Sequence, residues 1–76
     1  LDWKTSLQEL AAQVGQGAPE YIVVGEGPDH ARTFTARVRV GGQMFGHGIG
    51  RTKKQAEQQA AQTAFEQVQQ SLNGDA

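Results

Sequence analysis

The residues with the clearest chemical content lie in one run, Gly46-His47-Gly48-Ile49-Gly50-Arg51-Thr52-Lys53-Lys54-Gln55-Ala56-Glu57. Glycines at alternate positions lead into a cationic cluster, and the cluster opens a helical pattern. Thr52 is a favourable N-cap and Gln55 stands three residues later, which is the spacing of a capping box. Lys53 and Lys54 then fall in the first helical turn, where a cation opposes the helix dipole by about 0.3–1 kcal/mol. A missing anion would resolve that conflict. Amides at a helix start, the dipole and the side chains of Arg51, Lys53 and Lys54 can converge on a phosphate. The competing reading is a solvated basic helix end without a ligand.

A second set lies near the beginning of the chain. Thr5, Gln8 and Glu9 recur at helical spacing and face roughly 170° away from the apolar stripe of the same segment. Ordinary helix solubility accounts for them, yet an amide that donates and accepts, beside a carboxylate, also suits ribose hydroxyls and base edges. No catalytic set emerges. His30 and His47 are isolated, no carboxylates pair, and no metal-ligand spacing is present. Gly46-x-Gly48-x-Gly50 lacks both nucleotide-loop spacings and reads as backbone permissiveness, for a bent edge strand or close approach to a helix.

These groups need a frame. Asp2 can cap a helix from Trp3 to Val14, with Trp3, Leu7, Leu10, Ala11 and Val14 facing the core. Gly15-Gln16-Gly17-Ala18-Pro19 breaks it, and Tyr21–Val24 forms a short strand. Thr33–Val40 alternates, with Phe34, Ala36, Val38 and Val40 inward and Thr33, Thr35, Arg37 and Arg39 outward. Arg37 and Arg39 read as solvent-face residues. Gly41-Gly42 is a two-residue hairpin turn, followed by a strand over Gln43–Ile49. The last helix runs from Lys53 to about Leu72 on an apolar stripe of Ala56, Ala60, Ala61, Ala64, Phe65, Val68 and Leu72. Its polar face is mostly Gln, a compositional bias with no function attached, and Asn73-Gly74 is its expected stop. The fold class is α+β in the order α-β-β-β-α, a three-stranded antiparallel sheet with both helices on one face.

Composition narrows the function classes. The 76 residues allow one domain, ordered over about 2–72 with a polar tail at 73–76, and contain no cysteine. A disulfide framework and thiolate chemistry are thereby excluded. No apolar run is long enough for a membrane span. The net charge of −1 argues against a uniformly basic nucleic-acid binder, but three of the seven basic residues are focused in Arg51–Lys54.

Thr5-x-x-Gln8-Glu9, Gly27-Pro28-Asp29-His30 and Arg51-Thr52-Lys53-Lys54 in this order and topology resemble the double-stranded RNA-binding domain. Pro19-Glu20-Tyr21, Phe34, the alternate glycines and Gln55-Ala56-Glu57-Gln58 extend the match over nearly the whole chain. The version is similar to the C-terminal domain of bacterial ribonuclease III. The resemblance implies that Thr5, Gln8 and Glu9 touch one minor groove and that Pro28, Asp29 and His30 enter the next. Arg51, Thr52, Lys53 and Lys54 would clamp phosphates across the intervening major groove, over roughly 16 base pairs. Many members carry a third lysine where this chain has Glu57, a departure that weakens the clamp. By the same resemblance the domain binds and does not cut. It needs no cofactor, and magnesium belongs to the nuclease domain of a cytoplasmic, homodimeric parent. The isolated domain is expected to be monomeric. A non-enzymatic double-stranded-RNA-binding protein, or a protein-interaction version of the fold, stays open.

Overall fold

The computed structural model describes residues 2–74. Helix α1 (Trp3–Gln13) is followed by β1 (Glu20–Glu26), a 3-10 turn at Asp29–Ala31, β2 (Thr33–Val40), β3 (Gln43–Gly50) and α2 (Lys53–Gly74). The strands pair antiparallel in the order β1-β2-β3, and both helices cover one face. The architecture is the α+β arrangement expected from the pattern. β1 is longer than Tyr21–Val24, because Glu20 and Gly25-Glu26 find ladder partners in Arg39 and Phe34-Thr33. Both turn glycines, Gly41 (φ 58) and Gly42 (φ 78), take the left-handed conformation that a tight hairpin demands.

At its far end α2 departs from expectation. Asn73 and Gly74 belong to the helix, and Gly74 has no positive φ, so the left-handed stop does not form there. Glycine accepts helical dihedrals as readily as left-handed ones, and in a final turn it interrupts little. The remainder of the expected tail, residues 75–76, lies outside the described residues.

The core is built from one face of each element. Leu7, Leu10 and Ala11 of α1, Ala36, Val38 and Val40 of β2, and Ala56, Ala60, Ala61, Ala64 and Val68 of α2 are buried. Trp3 and Phe65 meet edge to face, ring centroids 5.6 Å apart. The alanines matter because β3 offers glycines in return. A Cβ at Gly48 would fall on the Ala56 carbonyl and lie near the Ala60 nitrogen, while one at Gly46 would fall on the Ala60 carbonyl. Gly46 (φ 68) also sits in a bulge, since Ala36 pairs with Gly48 but Val38 pairs with Phe45. Arg37 is exposed as expected, but its Nε donates to the carbonyl of Gly46 at 3.2 Å and so braces the bulge. The outer sheet face also exposes Ile22, Val24 and Ile49.

β3 is an edge strand, and α2 covers its free amides with side chains. Gly46 N–H donates to Gln67 Oε1 (2.6 Å), His47 N–H to Thr63 Oγ1 (2.8 Å) and Ile49 N–H to Gln59 Oε1 (2.6 Å). Gln59, Thr63 and Gln67 stand four residues apart, on one line along the helix. The glutamine-rich face, read from sequence as mere bias, thus satisfies donors that an uncovered edge would leave open.

Tyr21 marks a cost in the same frame. Its hydroxyl oxygen is buried without a partner among the described residues. Burial, and after it the charges of Glu57 and Asp2, push its pKa up to about 12, so the group stays protonated. An unsatisfied buried hydroxyl costs about 1–3 kcal/mol. Tyr21→Phe is therefore expected to raise the melting temperature by roughly 4–8 °C for each 1 kcal/mol regained. A scanning-calorimetry melt at or below that of the unchanged chain would show that the hydroxyl has a partner.

Candidate functional site

The three sequence-predicted sets lie on α1, in the β1–β2 loop and at the start of α2. Helices α1 and α2 run side by side in the same direction. Trp3 N–H donates to Gln58 Oε1 at 2.9 Å near their starts, and Gln13 and Gln69 line one groove further on. Phe34 at the start of β2 pairs with Gly50 at the end of β3, which puts the β1–β2 loop beside the beginning of α2. The β1–β2 loop and the start of α2 therefore share an end, whereas Glu9 of α1 lines a groove with Phe65 and Gln69 further along α2.

On α1, Thr5, Gln8 and Glu9 are all exposed. The Asp2 carboxylate caps the helix, accepting from the amides of Lys4 (3.1 Å) and Thr5 (3.4 Å). The Thr5 hydroxyl donates to Asp2 Oδ2 at 2.8 Å. Its one proton is committed, so towards a ligand it can only accept. The Gln58 amide donates to Asp2 Oδ1 at 2.8 Å, and this bond, with those from Thr5 and Lys4, holds the Asp2 pKa down at about 2. Gln8 and Glu9 have no side-chain partner among the described residues and remain available.

In the β1–β2 loop, Pro28 (φ −70, ψ 160) leads into the 3-10 turn, and its carbonyl accepts from Ala31 N–H at 2.9 Å. Pro28, Asp29 and His30 are exposed. Arg32, which sequence reasoning passed over, donates to the carbonyl of Gly27 at 3.2 Å and lies over the Phe34 ring at 5.8 Å. It holds the loop closed from within. No spacing in the sequence signals this, because the acceptor is backbone.

At the start of α2, Thr52 Oγ1 accepts from Gln55 N–H (3.0 Å), and Gln55 Oε1 accepts from Arg51 N–H (3.0 Å). The capping pair forms with its return bond one residue earlier than the standard box. The amides of Lys53 and Lys54 are left without partners among the described residues, and so are the side chains of Arg51, Lys53 and Lys54. All are exposed. The only ion pair among the described residues joins Lys4 Nζ of α1 to Glu57 Oε1 of α2 at 2.8 Å. The start of α2 thus presents free cations and free amides, and the exposed residues of α1 and the β1–β2 loop add hydrogen-bonding groups, two of them the carboxylates Glu9 and Asp29. That set can hold a polyanion whose backbone carries hydroxyls.

No group of three or more His, Cys, Asp or Glu among the described residues could hold a metal ion. No helix among them is long and apolar enough to cross a membrane.

Comparison with known proteins agrees with this geometry. The family model described as "Double-stranded RNA binding motif" matches residues 3–68. The chain is 62% identical over 68 residues to "Ribonuclease 3" of Streptomyces coelicolor, covering 90% of this chain and 25% of that protein. It is 60% identical over 68 residues to "Ribonuclease 3" of Thermobifida fusca, covering 90% of this chain and 28% of that one. These curated relatives are therefore about four times as long as the matched segment. Among solved structures, Arabidopsis HYL1 superposes with a TM-score of 0.79 at 33% identity, over 88% of this chain and 96% of that one. The second double-stranded-RNA-binding domain of DRB4 superposes at 0.70 with 38% identity, over 91% and 97%.

Proposed function

Because the chain belongs to the double-stranded RNA-binding motif family and is 60–62% identical to part of two bacterial ribonuclease 3 proteins, we propose that it binds duplex RNA by A-form shape. Thr5, Gln8 and Glu9 enter one minor groove, where 2′-hydroxyls and base edges are displayed. Pro28, Asp29 and His30 enter the next. Arg51, Thr52, Lys53 and Lys54 hold the phosphates of the major groove between them. The observation that carries this reading is the free cationic turn at the start of α2, beside the exposed residues of the β1–β2 loop.

The parent reaction on this reading is hydrolysis of RNA phosphodiesters by a ribonuclease III. That cytoplasmic, homodimeric enzyme carries its magnesium-binding carboxylates in a separate nuclease domain. The present domain supplies grip on the substrate and no cleavage. Identity of 62% with a ribonuclease favours this parent over a non-enzymatic RNA-binding protein.

Titration with matched duplexes of about 16 base pairs is the test. RNA is expected to bind much more tightly than B-form DNA of the same sequence, since the DNA lacks the 2′-hydroxyls and the wide minor groove. Equal affinity for the two would overturn the shape reading.

A further inference from the structure

The Lys4–Glu57 pair stands between the two helix starts. Lys4 directly precedes Thr5 and lies one helical turn before Gln8. Glu57 lies one turn after Lys53 and Lys54 on α2, within side-chain reach of both. The ammonium of Lys4 donates to Glu57 Oε1 at 2.8 Å and lies 4.7 Å from the Tyr21 ring centroid. The Lys4 side chain is nevertheless 39% exposed and that of Glu57 23%. A partly exposed pair of this kind is held weakly and can exchange partners. Arg51, Lys53 and Lys54 have no side-chain partner among the described residues, and Lys4 is the cation among them all that a carboxylate of the protein already pairs.

We propose that Glu57 is an internal competitor of the RNA backbone. Its carboxylate occupies the Lys4 ammonium where that ammonium would otherwise reach a phosphate, and so sets the affinity of the domain below what its cations allow. The proposal rests on the duplex-RNA reading and extends it to a residue, Lys4, outside the predicted contact sets. Neither side chain belongs to the buried core, so both can be altered without opening a cavity.

A double-mutant cycle read by salt titration tests it. The slope of log affinity against log salt counts phosphates neutralised, about 0.9 for each, calibrated on B-DNA. Glu57→Gln is expected to tighten binding to a duplex RNA several-fold and to steepen the slope by about one unit. Lys4→Gln should change the slope little in the unchanged chain, but remove about one unit in the Glu57→Gln background. The double variant then returns to the slope of the unchanged chain. An equal effect of Lys4→Gln in both backgrounds, with the unchanged chain binding RNA, overturns the competition while leaving the RNA reading intact. Failure of the unchanged chain to bind overturns both. Melting curves on all four proteins confirm that the fold is retained.

Discussion

Gly48→Ala should lower the melting temperature by roughly 10–25 °C. The added Cβ would fall on the Ala56 carbonyl and near the Ala60 nitrogen, which are backbone atoms of α2 and cannot rotate away. Helix and strand must part for it to fit. Overpacking usually costs about 1–3 kcal/mol, and a rigid obstacle puts this case at the upper limit. The native state of a chain this size is stable by about 4–11 kcal/mol, and each kcal/mol is worth about 4–8 °C. Gly17→Ala is the matched control, because its Cβ would meet nothing within 4 Å and its φ is not in the left-handed region. If Gly48→Ala melts with the unchanged chain, α2 does not rest on β3 as described.

The second large effect concerns binding. Lys53→Ala combined with Lys54→Ala is expected to reduce affinity for duplex RNA about 50- to 100-fold near 0.1 M salt. It should also flatten the salt slope by about two units. Each lysine neutralises about one phosphate, so the loss is alike for all duplex sequences. Both side chains are exposed and outside the buried stripe, so the fold is unaffected. Removing two cations from the positive end of the helix dipole even favours the helix slightly. Gln8→Ala separates the two kinds of contact, since it should weaken binding without moving the slope. Unchanged slope and affinity in the double lysine variant would reduce the cluster to a solvated helix end.

Much of this could be read from the sequence where the physics is local. Thr33–Val40 alternates because one side of β2 faces the helices, and its limits are as expected. Thr52 and Gln55 marked the start of α2 because a cap acts over three residues. The long-range features were not legible. Gln59, Thr63 and Gln67 bond to backbone amides of β3, and backbone donors leave no trace in residue type. The role of Arg37 depends on a bulge that shifts the register by one residue. Lys4 was absent from the predicted contact set because it lies between the apolar stripe and the exposed face of α1. Its relation to Glu57 exists only once the helices are side by side.

The cover that α2 lays over β3 has a kinetic side. Amide protons at the rim of a sheet usually trade with solvent through small local openings. Those of Gly46, His47 and Ile49 are held by side chains of α2, so each exchanges only after its glutamine or threonine has let go. The helix thereby slows exchange along the rim of β3. The cationic turn opens the same helix. Its backbone meets an incoming anion already in place, and the freedom lost on binding is that of the arginine and lysine side chains.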